Sequence, residues 1–291
     1  MLKRRLIATL IIKNGIVVQS VGFSSYLPVG KPEIAVEFLN QWGIDEIVIL
    51  DMDATPKNSA LQLDLYRRLS ERCFVPLTIG GGIASVEDIK ALIHHGADKV
   101  AINYAAVTSP QLLEEAAKIF GRQCIVAAID VKKHPDGRYE VYLKSATEPT
   151  GMDPITLAKE LEAKGAGELL VNMIDRDGCK RGFDIAFMRQ IAASVAIPVI
   201  ALGGAGEPGD FVQLLQNSAV SGAAAANFFH FFEHSVTVTK SVIDKALPGE
   251  IRLDSHFDYR DAEYTLDNRV AKKEDDVLAE MLFEFHEKEV I

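Results

Sequence analysis

Four aspartates in this 291-residue chain stand where a carboxylate can move a proton: Asp51, Asp130, Asp175 and Asp177. The apolar runs IVILD, CIVAAID and LLVNMID end in or just before them, so each falls at the carboxyl end of a predicted strand. Two glycine clusters carry a second kind of chemistry. Gly80 to Gly82 in TIGGGI, and Gly203, Gly204 and Gly206 in ALGGAG, each follow an apolar strand and precede a helix. Glycine there lets backbone N–H groups approach an oxyanion at a helix start, the pattern of a phosphate site. Asn103 and Asn227 close the strands that follow. Position alone does not assign a role to any one acid, because strand-end carboxylates also serve simply to receive loop N–H groups.

The elements that must carry these residues repeat. Residues 76–107 read as strand, glycine turn, amphipathic helix and second strand, and residues 198–229 read the same way at an offset of 122 to 124. EIVILDMDAT pairs with ELLVNMIDRDG at the same offset, and LIATLIIKNG with IVAAIDVKK nearly so. Parallel strands joined by helices in two equal halves predict an α/β chain folded as a (β/α)8 TIM barrel with an internal twofold half-barrel repeat and a C-terminal extension. Such barrels place their chemistry at the strand carboxyl ends, which puts both glycine turns and all four acids at one mouth. In the half-barrel frame Asp130 corresponds to Ile11, so one of two opposed carboxylate positions is vacated.

The spacing further predicts a hairpin over IVVQSVGF after the first strand, a helix from about Pro32 to Trp42, and a helix presenting Leu61, Leu65 and Leu69 to the sheet. It also predicts a helix from about Pro110 to Phe120, an excursion GRYEVYLKS behind an Asp-Gly turn, and helices opening near Asp153 and Asp184, with Asp184 as N-cap. The barrel is expected over 1–247 and an acidic extension over 248–291. That extension holds 13 of the acidic and 6 of the basic side chains, so it carries most of the net charge of −10. Val277, Leu278, Met281, Leu282 and Phe285 form an apolar face at helical spacing within it.

No basic stripe interleaved with aromatics suits nucleic acid. Cys73, Cys124 and Cys179 show no disulfide or metal spacing, and His230 and His234 read as a helix-end pair, so neither a metal nor a cofactor is expected and a reduced cytoplasmic setting is. The basic then apolar opening MLKRRLIATLII breaks at Lys13 and lacks a cleavage site, and no segment reaches the ~20 apolar residues of a membrane span.

Across residues 1–247 the series ATLIIKNG, LDMDAT, TIGGGI, ADKVAIN, AAID, GAGELL, DRDGCKRGFD, ALGGAG and FFHF resembles, in order, the HisF family, the cyclase subunit of imidazole glycerol phosphate synthase. The resemblance implies a nucleotide substrate held by its two phosphates at Gly81, Gly82 and Asn103 and at Gly203, Gly204 and Asn227. It implies ammonia delivered by a HisH-like glutaminase docked on the opposite face, with Asp98 facing that partner, and a gate of Arg5, Glu46, Lys99 and Glu168 at the inlet. These four each stand just before a strand, where rim salt bridges also occur. It implies an acid and a base at the ends of the first and fifth barrel strands. The second of these is Asp130 and the first is Ile11, with Asp51 and Asp177 as further catalytic candidates. Other mouth positions depart too: Gln19 for a phosphate-contacting lysine, Tyr104 for a small hydroxyl residue, Asn172 and Met173 for Thr-Ser, Cys179 for threonine, Leu202 and Asn227 for serine.

An inlet kept and one acid lost point to a barrel that still takes ammonia from a glutaminase but serves another acceptor. Family copies of this kind accompany surface polysaccharide genes and resemble ammonia suppliers to a third amidotransferase enzyme that makes acetamidino sugars. Two alternatives stand beside this: a working cyclase (lyase) of histidine biosynthesis, and a non-catalytic module binding a phosphorylated small molecule.

Overall fold

The computed structural model describes residues 3–54, 60–230, 234–255, 259, 262–266 and 269–280. In chain order its strands are β1 (Arg5–Lys13), β2 (Ile16–Val21), β3 (Ser25–Gly30), β4 (Glu46–Asp51), β5 (Leu77–Gly80), β6 (Lys99–Ile102), β7 (Ile125–Lys133), β8 (Tyr139–Leu143), β9 (Glu148–Pro149), β10 (Glu168–Met173), β11 (Val199–Leu202) and β12 (Gly222–Ala225). Eight of them, β1, β4, β5, β6, β7, β10, β11 and β12, pair in parallel in that order, and β12 returns to β1. This is a closed (β/α)8 TIM barrel. Closure removes every edge, which is why short strands such as LTIG and GAAA suffice.

The other four strands are antiparallel excursions at the mouth: β2 and β3 fold back from β1, and β8 and β9 from β7. They rise from equivalent strands of the two halves. The helices are α1 (Pro32–Gln41), α2 (Leu63–Ser70), α3 (Val86–His94), α4 (Tyr104–Thr108), α5 (Gln111–Phe120), α6 (Pro154–Ala163), α7 (Ile185–Ser194), α8 (Pro208–Asn217), α9 (Ser235–Ala246) and α10 (Asp275–Glu280). The expected helix over Leu61, Leu65 and Leu69 starts only at Leu63. Asp184 does cap α7, accepting the Phe187 N–H, and Asp153 caps α6. The twofold repeat survives in the caps: Asp88 accepts the N–H groups of Ala84 and Ser85, and Asp210, 122 positions later, those of Gly206 and Glu207.

β1 is apolar along its length because both its faces are covered. Leu6, Ala8, Leu10 and Ile12 meet the helices, while Ile7 joins Val48, Ala101, Val126, Ala128, Leu170, Ile200, Leu202 and Ala224 in a second cluster inside the barrel. Each such fully buried Leu or Ile stabilises by ~1.5–3 kcal/mol.

The pairing register sets the height of every inward side chain. Thr9 pairs with Val48, Val48 with Thr78 and Thr78 with Lys99. Continued through β7, β10, β11 and β12, the same pairing returns to β1 eight residues lower, the stagger expected of this barrel. Inward residues therefore stack in layers drawn from alternate strands. Glu46, Lys99, Glu168 and Gly222 form the lowest complete layer, with Arg5 beneath. Thr9, Gly80, Ala128 and Leu202 share a layer halfway up, and Leu50, Asn103 and Asn172 stand one step above. Ile11 and Asp130 then face each other across the top.

Beyond α9 the chain stays attached. Lys240 of α9 pairs with Asp45 at 2.7 Å, and Asp45 also accepts the Leu6 N–H. Arg4 donates its N–H to Glu250 O, Ser255 meets Thr237, and the Tyr259 hydroxyl meets His234 Nδ1 at 2.6 Å. Of the expected apolar face in the extension, Val277 lies on α10 and is half exposed, while Met281, Leu282 and Phe285 lie outside the described residues.

Candidate functional site

A cavity of about 140 Å³ opens at the carboxyl ends of the strands. Its floor is apolar, made by Ala101, Ala128, Leu170 and Leu202, and its wall carries Asp130, Asn103 and Asn172 with Ile11 opposite. The two excursions supply the rim: Ser20, Phe23 and Tyr26 from one side, Lys144 and Ser145 from the other. Barrel strands can hold side chains only along the wall, so the antiparallel additions are what narrow the opening.

Asp130, on β7, is held by two amides. Asn172 Nδ2 donates at 3.2 Å and Asn103 Nδ2 at 3.4 Å, the latter also donating to Ala128 O at 3.0 Å. Burial in the apolar floor pushes the Asp130 carboxyl up to about 7; the Asn172 bond pulls it down, and the charge of Asp177 pushes it up again. A group titrating there can give or take a proton near neutrality. Asp177, in the loop after β10, lines the same cavity, and its carboxylate accepts from Ser20 Oγ at 2.5 Å. Burial raises it to about 6, against the opposing bonds from Ser20 and Phe23. The wall opposite Asp130 at its own level is Ile11, but a second carboxylate acts on Asp130 from the rim.

Asp51 also reaches the cavity, yet its oxygens are occupied. They accept from the Asp53 N–H at 3.0 Å, Gln62 Nε2 at 2.7 Å and the Tyr66 hydroxyl at 3.4 Å. Asp175 accepts the Lys133 N–H at 3.1 Å. Both are arranged to order loops.

The two glycine turns differ in what they face. Gly81, at φ +115°, passes so close to Asp51 O that any side chain would collide with it, and it borders the main cavity with Asn103. Gly203, Gly204 and Asn227 border a separate hollow of about 20 Å³, the room of a single water. Gly178 and Lys180 of the loop after β10 also border it, while the Asn227 amide is bonded to the first hairpin: Nδ2 donates to Ser20 O at 2.6 Å and Oδ1 accepts the Ser20 N–H at 3.1 Å. Gln19 sits on β2 opposite Leu27 in that hairpin. Cys179 is exposed, its Sγ 3.5 Å from Asp177 O.

At the other end of the barrel, Arg5, Glu46, Lys99 and Glu168 meet in one network. Arg5 donates to Glu46 at 2.6 Å and also to Glu168; Lys99 reaches both Glu46 oxygens at 3.0 and 3.1 Å and Glu168 at 2.8 Å. Thr78 Oγ1 adds a third partner to Glu46 at 2.9 Å. Both glutamates are almost fully buried, and the two cations and two anions cancel. Burial opposes the Arg5 charge, but Glu168 and Glu46 outweigh it and hold the guanidinium above its ordinary pKa. Asp98 lies beside this ring, accepting the Leu77 N–H at 2.8 Å.

Sequence spacing put Asp130, Asn103 and Gly81 at the mouth, and the family resemblance put the ring residues at the other end, but neither singled out Ser20, Tyr26, Lys144 or Ser145. The only sequence signal for those was that both excursions follow equivalent strands, which places their tips over one mouth. Among the described residues no helix is long and apolar enough to cross a membrane.

A family model described as "Histidine biosynthesis protein" matches residues 5–235. The imidazole glycerol phosphate synthase subunit HisF of Streptococcus sanguinis is 40% identical over 246 residues, covering 84% of this chain and 98% of the relative. That of Limosilactobacillus fermentum is 42% identical over 250 residues (85% and 96%), and that of Clostridium botulinum 40% over 246 (84% and 97%). With the barrel, the repeat and the order of motifs, these likenesses make the chain a member of the HisF family.

Proposed function

We propose that this chain is the barrel subunit of a glutamine-dependent amidotransferase complex, taking ammonia from a HisH-like glutaminase seated at the ring end and delivering it to an acceptor at the mouth. The observation that carries this is the buried ring of Arg5, Glu46, Lys99 and Glu168. A surface does not need four compensated charges on its axis for stability, because apolar packing of the same volume does as well or better. Such a ring earns its place by controlling what enters. Above it the layers are apolar, with Ala101, Ala128 and Ala224 as small members, which favours a neutral molecule and rejects a hydrated ion. Those layers are packed, so transit proceeds with side-chain rotation.

The acceptor in this reading is not the family's usual nucleotide. Ile11 removes the acid facing Asp130, and the second glycine turn opens onto a hollow too small for a phosphate as it stands. An amidated sugar precursor, of the kind converted to acetamidino sugars with a third enzyme, fits a mouth with one axial acid and an aromatic rim. Gly81, Gly82 and Asn103 remain as one candidate phosphate cradle, Gly203, Gly204 and Asn227 as a second in which Asn227 would have to give up its bonds to Ser20.

A second reading has its own support. Asp177 shares the cavity and acts on Asp130, so the two together offer an acid and a base for the cyclase reaction named by the relatives. Purified protein, an ammonium salt and the cyclase nucleotide separate the two: no turnover is expected, and measurable turnover replaces the first reading by the second. Co-expression with a HisH-like glutaminase tests what both share. A stable complex with stimulated glutamine hydrolysis is expected, and Arg5→Ala or Lys99→Ala should uncouple glutamine use from product; failure to bind or stimulate leaves only a phosphate-binding module.

A further inference from the structure

Among the described residues, the exposed large apolar side chains gather in one place. Ile16, Val21, Leu27, Val29, Ile34 and Phe38 all belong to the first hairpin or to α1, while the others stand singly on the barrel or lie in the extension. Clustered exposure of this kind marks a contact surface. On α1, Pro32, Val36 and Leu39 face the core, as a barrel helix requires. Ile34 and Phe38, with Trp42 just past the end of the helix, make a second apolar stripe at a spacing of four, and Ile34 and Phe38 are about half exposed. Facing them is β3, which pairs with β2 alone. Between the two runs a groove of about 400 Å³, lined by Lys31 and by Val29, Ile34, Phe38, Trp42 and Phe229.

The chain itself carries a face of the matching kind. Val277, Leu278, Met281, Leu282 and Phe285 fall on one side of the helical spacing that α10 begins, and Val277 is about half exposed. From Val277 to Phe285 is eight residues and from Ile34 to Trp42 is eight, so both faces are about 12 Å long, roughly two turns. Glu280 and Glu284 flank the first face by their spacing, and the groove offers the cation Lys31. The extension also sets out from the wall of the groove. His234 packs edge-on against Trp42 and meets the Tyr259 hydroxyl at 2.6 Å, and the Tyr264 hydroxyl in turn donates to Tyr259 O at 3.0 Å. The Ala271 N–H then bonds Glu263 O, which brings the chain back beside that point, and α10 opens four residues further, at Asp275.

We propose that residues 277–285 of the extension dock as a helix in this groove, laying their apolar face on Ile34, Phe38 and Trp42 and tying the first hairpin to α1. This is a helix in an apolar groove, anchored at helical spacing. Ser20, Phe23 and Tyr26, which form one side of the mouth rim, belong to that same hairpin. A helix wedged between β3 and α1 therefore sets the angle at which the rim overhangs the mouth. The extension acts on the site without entering it, whichever acceptor the mouth serves.

Trp42 is the one tryptophan of the chain, so its fluorescence reads the groove directly. In the full chain, Leu282→Asp combined with Phe285→Asp should move the Trp42 emission to longer wavelength as water enters. Amide hydrogen exchange in β3 should become at least ~10-fold faster, because two apolar side chains leave the contact. Glu287→Ala, on the opposite side of the same helical spacing, should change neither. Ile34→Asp, on the groove side, should speed β3 exchange as the tail pair does, and all three substitutions together should add nothing further, since both sets break one contact. Emission and exchange that ignore the tail pair overturn the proposal, as they would if a different protein were the occupant, and so do effects that simply add. An emission that depends on protein concentration, with a dimer in sedimentation that Ile34→Asp dissociates, overturns it in favour of a second copy of the chain.

Discussion

The two ends of this barrel treat buried charge in opposite ways. At the ring end four ionised groups answer one another, and Glu46 alone accepts from Arg5, Lys99 and Thr78. At the mouth Asp130 and Asp177 are two acids held by neutral amides and a hydroxyl rather than by ion pairs among the described residues. The first arrangement sets each charge against an opposite one; the second places proton exchange near neutrality, with Asp130 at about 7 and Asp177 at about 6. The two ends are thus divided by how they hold charge: paired with its opposite at the ring, and left to neutral partners at the mouth, where a proton can be exchanged.

The largest effect that breaks this contrast is loss of the axial acid. Asp130→Asn keeps the size of the side chain and an acceptor for one amide but cannot exchange a proton. Turnover with whichever acceptor the complex uses should fall by ~10²–10⁴-fold in a steady-state assay, with the glutaminase still bound. A smaller loss would move the proton transfer to Asp177, and Asp177→Asn would then show the larger effect.

At the ring end the response should be in stability. Glu46→Ala leaves Arg5 and Lys99 sharing one carboxylate in a buried site, and removing one member of such a network costs ~3–5 kcal/mol. Urea unfolding reads this directly; a cost below ~1 kcal/mol would mean water already reaches the ring and the charges are solvated.

The pH dependence of stability sharpens the comparison next. Both mouth acids have folded pKa values above the ~3.9 of an unfolded aspartate, so the native state holds protons that the unfolded chain has released. Their contribution is full below pH ~4 and is lost as pH rises through about 6 to 7. Asp130→Asn should therefore be more stable than the parent at pH 8, by ~1–3 kcal/mol, with the gap closing toward pH 5.

How much of this was legible in the residues follows from the same division. The half-barrel repeat fixes register, so the facing of Ile11 and Asp130 across one layer follows from strand spacing, whereas Arg5, Glu46, Lys99 and Glu168 are picked out as a group by the family resemblance, spacing alone giving only charges placed before strands. What spacing does not contain is how loops close. Asn227 looks like a phosphate ligand by its place after a strand, yet its amide nitrogen donates to Ser20 O and its amide oxygen accepts the Ser20 N–H, from a hairpin 207 residues earlier. Asp51 likewise looks like a catalyst until Gln62 and Tyr66 are seen to occupy it. Contacts between loops distant in the chain have no periodicity to betray them.

The smallest expected effect is the control that gives the ring result its meaning. Arg72 and Glu37 form an ion pair at 2.9 Å, a distance like those in the ring, but both side chains are half exposed. Water already screens each charge, and ordering two long side chains offsets most of the attraction, so Arg72→Ala should change unfolding free energy by ~0–1 kcal/mol. Raising salt from 0.1 M to 1 M shortens the screening length from ~10 Å to ~3 Å and should erase even that. The cost of Glu46→Ala should survive the same change, because counterions do not enter the barrel end where Glu46 lies 1% exposed. If salt reduced both costs alike, burial would not be what distinguishes the ring, and a charged surface cluster would account for it as well.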